Sequence, residues 1–232
     1  MRKERFQINH IPAVLYGEKS SKLYLFVHGR QSYKEEAVQF AQIIKTYGYQ
    51  VLSFDFPEHG ERKNEKTQFT VQNCVSDLNT VMKSIIASYN NISLYACSIG
   101  AYFSLIAFKE IHFNKCLFVS PILDMERLIH NMMKWANVTN YELKAKKEIE
   151  TTFGEKLSWD YYQFVKNHPI DIWGSQTFIL YGENDNLTER YVLDSFQKRY
   201  NCSVKILEKG EHYFHTPEQL KFLTKWIKET IQ

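Results

Sequence analysis

The sequence predicts an α/β fold in which a mostly parallel sheet carries helices on both faces. Short apolar runs rich in Val, Ile, Phe and Tyr recur along the chain, and uninterrupted runs of this kind are typical of strands buried on both faces. Helical patterns separate the runs, which is the alternation that a doubly wound sheet requires. A chain of 232 residues with 44% hydrophobic content can bury the core of one such domain.

Six of the apolar runs predict the strands of the sheet. In chain order they cover residues 23–29, 49–57, 92–98, 115–121, 176–185 and 202–210. The segments "RFQIN" and "AVLYG", on either side of His10-Ile11-Pro12, add an antiparallel hairpin at one edge. We therefore expect a sheet of about seven or eight strands.

Three helices of the predicted core can be placed from their apolar stripes and end signals. Residues 34–48, 70–89 and 216–231 each repeat apolar side chains at helical spacing. Gly48 marks the end of the first helix. Thr216 followed by Pro217 marks the start of the last one, at the C-terminal end of the chain.

One long segment interrupts the alternation of strands and helices. Residues 125–173 contain no convincing strand, but they carry helical, aromatic-rich sequence sufficient for two or three helices. Insertions of this size between consecutive strands are usually functional, and commonly form lids. The predicted organisation is a core of residues 1–124 and 174–232, with a helical lid over residues 125–173.

Composition argues against several classes of protein. The 29 basic and 26 acidic residues are scattered and give a net charge of +3, which does not favour nucleic-acid binding. No apolar run reaches the length of a membrane span, and no apolar segment follows the basic start as in a secretory signal. The four cysteines show no CxxC or metal-binding spacing, so we expect free thiols in a reducing cytoplasm, with no metal and no cofactor.

Three polar side chains end three of the predicted strands, in the order Ser98, Asp185 and His212. Ligands of open α/β sheets bind at the carboxyl ends of the strands, so these side chains are expected to meet. A serine hydroxyl needs a base during attack, and an imidazole titrates near neutrality. A carboxylate fixes the imidazole tautomer and stabilises the imidazolium. The pattern therefore predicts a catalytic triad.

Cys97 lies beside Ser98 and is the other candidate nucleophile. A nucleophile on a sharp strand-to-helix turn needs small residues two positions before and after it. Around Ser98 these positions hold Ala96 and Gly100, whereas around Cys97 they hold Tyr95 and Ile99. This spacing favours Ser98, and it predicts that Cys97 packs within the turn.

Other residues near the strand ends have alternative explanations. Asp124 is a rival acid, but it is better placed to cap the first helix of the predicted lid. His215 is a rival to His212, since both lie just before the last helix. His28 and His59 each precede a glycine at a strand end. The grouping of Asp55, Glu58 and His59 matches no metal-ligand motif.

Five motifs together resemble those of the α/β-hydrolase family. They are "LFVHGR", "FDFPEHGER", "YACSIG", "LYGENDNLT" and "EKGEHYFHTPEQL", in the family's order and across essentially the whole chain. The one departure is Ala96, where a glycine is commonest. The family's Gly-x-His spacing favours His212 over His215, and the resemblance implies structural roles for His28 and His59. The resemblance implies the α/β-hydrolase fold, with a helical lid inserted after the sixth strand. It also implies oxyanion donors at the backbone N–H groups of Ile99 and of either Arg30 or Gln31, a choice that the sequence leaves open.

The expected function is hydrolysis of carboxylic esters with small or medium acyl groups, through an acyl-enzyme on Ser98. Thioesterase, acyltransferase and peptidase activity are alternatives with the same residues, because pocket and lid determine the substrate. A non-catalytic binding protein of this fold is a further alternative. Trp135, Trp159 and Tyr162 of the predicted lid are candidate substrate contacts. The expected partner is a small ester or acyl compound, without nucleic acid or stable membrane association, and the oligomeric state is left open.

Overall fold

An eight-stranded sheet forms the centre of the computed structural model, which describes residues 1–232. Its strands are β1 (Lys3–Ile8), β2 (Ile11–Tyr16), β3 (Lys22–Val27), β4 (Gln50–Phe54), β5 (Asn91–Cys97), β6 (Cys116–Val119), β9 (Thr177–Gly182) and β10 (Ser203–Leu207). The spatial order is β1-β2-β4-β3-β5-β6-β9-β10. Strands β1 and β2 pair antiparallel, as does β2 with β4. All other neighbours are parallel, which confirms the predicted class.

The central strands explain the uninterrupted apolar runs. Every residue of β4 and of β6 is buried, and only Lys22 of β3 is exposed. Strands covered by helices on both faces need apolar side chains in both directions, so the alternation of half-buried strands is lost. The predicted edge hairpin is present as β1 and β2, and most of β1 is exposed as expected for an edge.

Eight helices accompany the strands. They are α1 (Ala37–Ile44), α2 (Val71–Ile85), α3 (Ile99–Ala107), α4 (Met125–Trp135), α5 (Asn140–Lys146), α6 (Trp159–Asn167), α7 (Arg190–Tyr200) and α8 (Pro217–Ile231). Helices α1 and α8 cover one face of the sheet and share a cluster of 17 buried residues. Helices α2 and α3 cover the other face within a cluster of 42 buried residues. None of the helices has the length and apolar character needed to cross a membrane.

The segment between β6 and β9 contains α4, α5 and α6, together with a short antiparallel hairpin. The prediction of a segment without strands was wrong here, because β7 (Glu148–Glu150) pairs with β8 (Lys156–Ser158). Each strand has three residues, too few to show an alternating pattern in the sequence. Buried side chains of α4 such as Leu128, Ile129 and Met133 join the large core cluster. The insertion therefore packs directly on the α3 side of the sheet.

Candidate active site

Ser98 lies on a sharp turn between the end of β5 and the start of α3. Its backbone angles are φ 50° and ψ −123°, a region that a non-glycine residue occupies only when its surroundings hold it there. The first turn of α3 passes very close to the end of β3. A Cβ on Gly100 would lie 2.4 Å from the carbonyl oxygen of His28. The small residue that the sequence shows two positions after Ser98 is therefore a steric requirement.

Ser98, His212 and Asp185 form one continuous chain of hydrogen bonds. Ser98 Oγ lies 2.8 Å from His212 Nε2, and His212 Nδ1 lies 2.7 Å from Asp185 Oδ2. The tautomer that satisfies both contacts has its proton on Nδ1, donating to the carboxylate, so that Nε2 accepts from the serine hydroxyl. The structure thus brings together the three residues that the sequence placed at separate strand ends.

The turn after β9 holds the Asp185 carboxylate rigidly. Its side chain is fully buried, and Oδ1 accepts hydrogen bonds from the N–H groups of Leu187 at 2.8 Å and Thr188 at 3.0 Å. A buried carboxylate needs such donors because desolvation penalises an unpaired charge. The turn also approaches the loop that carries His212, since a Cβ on Gly182 would lie 2.4 Å from the carbonyl oxygen of Glu211.

The two rival residues lie elsewhere. Asp124 is the N-cap of α4, where its Oδ1 accepts from Arg127 N–H at 2.9 Å. His215 is exposed, and its Nδ1 lies 3.0 Å from the carbonyl oxygen of Tyr213. Neither side chain is hydrogen-bonded to Ser98 or to His212.

The Cys97 thiol has a different environment from the Ser98 hydroxyl. It packs against the cluster between the sheet and helices α1 and α8, and burial raises the pKa of the Cys97 thiol to about 12. The thiolate is the nucleophilic form of cysteine. A thiol with a raised pKa is mostly protonated at neutral pH, which disfavours Cys97 as a nucleophile.

The loop after β3 lies against Ser98. A Cβ on Gly29 would be 3.3 Å from Ser98 Cβ. The Gln31 N–H donates to His59 Nε2 at 3.0 Å, whereas the N–H groups of Arg30 and Ile99 have no acceptor within the protein. Of the two candidates that the sequence left open, only Arg30 therefore has a free backbone donor.

Hydrogen bonds of charged and imidazole side chains connect this loop to the loop after β4. Asp55 accepts hydrogen bonds from Lys34 N–H at 2.8 Å and from Lys34 Nζ at 2.6 Å. Burial disfavours the charged amine, but the bonds to Asp55 and Glu61 more than offset it, so the pKa of Lys34 is raised. His28 Nε2 accepts from Phe56 N–H at 3.2 Å, and burial lowers the pKa of His28 to about 4. Both side chains therefore act as fixed structural partners.

Two of the three polar residues that the sequence groups after β4, Asp55 and His59, have hydrogen-bond partners within the protein. Asp55 is occupied by Lys34 and by the N–H of Glu61, and His59 is occupied by Gln31. No three His, Cys, Asp or Glu side chains converge in an arrangement that could hold a metal ion.

A cavity of about 790 Å³ opens beside Ser98, between the sheet and the insertion. One wall is apolar and is formed by Ile99, Ile122, Leu128, Ile129, Met132 and Leu187. The polar part of the wall includes Glu58, Gln68, Thr70, Gln72, Ser158 and Asp160. The cavity therefore offers both a surface for a hydrocarbon chain and groups for hydrogen bonding.

The three candidate contacts from the insertion have different positions. Trp135 lines the cavity, and its ring is edge-on to Phe153 at 6.1 Å. Tyr162 is buried, with its hydroxyl 3.1 Å from His130 Nε2, and Trp159 packs on Tyr162. Neither Trp159 nor Tyr162 lines the cavity. Their aromatic character serves the packing of the insertion, which the sequence could not distinguish from substrate binding.

The segment that connects β6 to the insertion is tied to the site on both sides. The Ile122 N–H donates to the carbonyl oxygen of Ser98 at 3.1 Å. Thr188 Oγ1 donates to the carbonyl oxygen of Pro121 at 2.8 Å. Residues 121–122 therefore bridge the serine turn and the acid turn.

Solved structures of other proteins show the same fold. The mouse alpha/beta hydrolase domain-containing protein 10 has a TM-score of 0.78 and 15% identity, covering 100% of this chain and 98% of that one. Est1E from Butyrivibrio proteoclasticus, in complex with ferulic acid, has a TM-score of 0.73 and 17% identity, covering 97% and 96%. The monoacylglycerol lipase of Paleococcus ferrophilus has a TM-score of 0.69 and 14% identity, covering 96% and 98%. At such identities the likeness shows the fold alone.

Sequence comparison adds the family. No curated protein is significantly similar to the chain in sequence. The family model described as "Serine aminopeptidase, S33" (Hydrolase_4) matches residues 18–171, which is more than half of the chain. The matched region extends from β3 through Ser98 into the insertion. The protein therefore belongs to this family of α/β-hydrolases.

Proposed function

We propose that the protein hydrolyses carboxylic esters of small or medium acyl groups, with Ser98 as nucleophile, His212 as general base and Asp185 as the residue that orients His212. The observation that carries this proposal is the unbroken hydrogen-bond chain from Asp185 through His212 to Ser98, ending on a strained turn beside a cavity. A serine held in this way is poised for acyl transfer.

In the proposed reaction, Ser98 Oγ attacks the acyl carbonyl carbon while its proton moves to His212 Nε2. The carbonyl oxygen becomes an oxyanion. As the tetrahedral intermediate collapses, the bond to the alcohol oxygen breaks and the imidazolium returns the proton to the leaving alcohol. Water then attacks the acyl-enzyme by the same route and releases the carboxylic acid. Asp185 remains ionised and stabilises the imidazolium.

The proposed oxyanion donors are the backbone N–H groups of Ile99 and Arg30. Ile99 is the first residue of α3, where N–H groups lack helical acceptors and the helix dipole favours negative charge. Arg30 has the free N–H of the adjoining loop. Each such donor contributes on the order of 10²–10³ in kcat in comparable sites.

The cavity supports a preference for small or medium acyl groups. A volume of about 790 Å³ lies within the range of small-molecule pockets, roughly 300–1,000 Å³. The apolar wall from α4 and α3 suits an acyl chain of moderate length. The four cysteines are free thiols, which agrees with the proposed reducing, cytoplasmic location.

Aminopeptidase activity is a second candidate, and one observation favours it. The carboxylates of Glu58 and Asp160 line the polar wall without forming an ion pair with any basic side chain, and they could bind the amino group of a peptide substrate. Thioesterase and acyltransferase reactions would use the same residues as the ester reaction.

A fluorophosphonate probe tests the proposed nucleophile. We expect labelling of the wild type and of Cys97→Ala, and loss of labelling in Ser98→Ala, because only Ser98 has a general base. Labelling that persists in Ser98→Ala would contradict the proposal. A folded wild type that is neither labelled nor active would instead indicate a binding protein of this fold.

A substrate panel tests the reaction class. We expect turnover of p-nitrophenyl esters to be highest for acyl chains of about two to eight carbons, as the volume of the cavity suggests. Aminoacyl p-nitroanilides and acyl thioesters complete the panel. Faster turnover of the anilides, lost in Glu58→Gln or Asp160→Asn, would favour the aminopeptidase instead.

A further inference from the structure

The loop after β3 contains a strained residue that does not itself contact the nucleophile. Gln31 has φ 60°, in the left-handed region that non-glycine residues seldom adopt. Such strain persists only where surrounding interactions over-determine the backbone. The interaction that the structure provides is the hydrogen bond from Gln31 N–H to His59 Nε2, at 3.0 Å.

His59 is held as a neutral acceptor for that hydrogen bond. Its Nδ1 lies 2.8 Å from the carbonyl oxygen of Pro57, so the Nδ1 proton is donated there and Nε2 is left with a free lone pair. The ring is buried and packs on Phe69 at 4.5 Å and on His28 at 5.3 Å. Burial, followed by the nearby Arg30 cation, lowers the pKa of His59. A protonated ring would lose the acceptor.

The hydrogen bond to His59 determines which of the two neighbouring N–H groups of the loop is free. Because Gln31 N–H is directed to His59, it is not available to an oxyanion at Ser98. The neighbouring Arg30 N–H is left without a protein acceptor, and Gly29 brings this part of the loop against Ser98. The peptide between Arg30 and Gln31 is thus anchored on His59, next to the peptide that carries the free Arg30 N–H.

We propose that His59 is a positioning residue for the oxyanion site: its imidazole accepts the Gln31 N–H, holds Gln31 in its strained conformation, and so presents the Arg30 N–H to the oxyanion. This inference rests on the proposed serine hydrolase function. It assigns a role in turnover to a histidine that contacts neither the substrate nor the other proposed catalytic residues.

Two variants separate the acceptor from the packing of the ring. His59→Phe keeps an aromatic ring against Phe69 but has no acceptor, whereas His59→Gln retains an oxygen acceptor near the position of Nε2. With p-nitrophenyl butyrate, we expect His59→Phe to lower kcat by about 10- to 100-fold, less than outright loss of an oxyanion donor. KM should stay within about threefold, because an interaction made only in the transition state affects kcat and kcat/KM together. His59→Gln should recover most of kcat.

A transition-state analogue provides a second readout. Phenylboronic acid forms a tetrahedral adduct with a serine nucleophile, and its inhibition constant should rise in His59→Phe in parallel with the loss of kcat. Val81→Ala is the stability control, since Val81 is buried on α2 and has no bond to the loop. This variant should lower the unfolding temperature while leaving kcat and boronate inhibition unchanged.

The outcomes are distinct for the two proposals. If kcat of His59→Phe equals that of the wild type, or if only KM changes, the role of His59 is overturned while the serine hydrolase proposal stands. Equal losses of kcat in His59→Phe and His59→Gln would also overturn it, because they would show that the hydrogen-bond acceptor does not determine the rate. A wild type that is neither labelled by fluorophosphonate nor inhibited by the boronate would instead overturn the proposed function, and with it the role of His59.

Discussion

At the scale of single residues, the proposed nucleophile and its acid differ from their neighbours in how the protein holds them. Ser98 has a strained backbone with an accessible partner in His212. The side chain of Asp185 is fully buried, and its second oxygen is satisfied by two N–H groups. Cys97, one residue from the proposed nucleophile, is half-buried against the cluster between the sheet and helices α1 and α8, and its pKa is raised. Adjacent positions in the sequence therefore have very different environments.

The role of Asp185 can be separated from that of Asp124 by matched amide substitutions. Asp185→Asn keeps an oxygen that can accept from Leu187 and Thr188, but it removes the charge that holds the His212 tautomer. We expect kcat to fall about 10³- to 10⁴-fold, as for loss of a triad acid. Asp124→Asn is the control, since asparagine is an equally good N-cap and ester turnover should stay close to wild type. A large loss in Asp124→Asn together with a small one in Asp185→Asn would reverse the assignment.

At the scale of elements, two ion pairs connect the insertion to the rest of the molecule. Arg30 Nε lies 2.6 Å from Glu155 Oε1, which joins the loop after β3 to the β7–β8 hairpin. Arg127 Nη2 lies 2.7 Å from Glu189 Oε1, which joins α4 to the start of α7. The first pair matters more for the site, because the same residue supplies the proposed oxyanion donor through its backbone.

A double-mutant cycle measures the coupling across the first pair. Arg30→Gln and Glu155→Gln leave the backbone donor in place but remove the charges, which are about one third exposed. Pairs with this exposure contribute roughly 0.2–1 kcal/mol, so each single variant should lower kcat/KM by no more than about fivefold. The double variant should have nearly the same kcat/KM as the single variants. Salt at about 0.5 M should reduce the difference in kcat/KM between the variants and the wild type.

The Arg190–Asp194 pair on α7 is the control for this cycle, because it lies within one helix and does not line the cavity. Asp194→Asn should leave kcat/KM and its salt dependence unchanged. Strictly additive losses of kcat/KM in Arg30→Gln and Glu155→Gln would show that their ion pair does not couple the β7–β8 hairpin to the site.

At the scale of the whole molecule, two buried imidazoles link stability to pH. Burial lowers the pKa of His28 to about 4 and also lowers that of His59. In the unfolded chain a histidine titrates near pH 6.5. As pH falls through 6.5, the unfolded chain takes up protons that the folded protein does not bind. Stability is therefore lost on acidification, beginning below the unfolded pKa and ending near the folded one.

Denaturant unfolding between pH 7 and pH 5 tests this linkage. His28 alone should reduce the free energy of unfolding by about 2 kcal/mol over this range, at about 1.36 kcal/mol per pH unit below 6.5. The lowered pKa of His59 reduces the free energy of unfolding further on acidification. Carboxylates with lowered pKa values, such as Glu142 and Glu189, lose their contribution mainly below pH 4.5, so they do not dominate this interval. A free energy of unfolding that is constant or rises from pH 7 to pH 5 would contradict the prediction.

Much of the fold could be predicted because burial on both faces leaves an uninterrupted apolar signal, as in β4 and β6. The hairpin of β7 and β8 could not, since strands of three residues are too short to carry a pattern. Helix α7 was also missed, because only three of its side chains are buried. Long-range contacts have no local signal at all, and for this reason the sequence left Arg30 and Gln31 as equal candidates. The hydrogen bond to His59 distinguishes them only in three dimensions. The catalytic roles of Ser98, Asp185 and His212 stay predictions, to be tested by the variants above.

The short connection at residues 121–122 has a mechanical consequence. It is bonded to the serine turn on one side and to the acid turn on the other. A displacement of residues 121–122 would therefore break contacts with both turns and disturb the alignment of Ser98 with Asp185. Variation of the insertion in length or sequence is thus expected to leave that alignment unchanged only where it begins at or beyond residue 123.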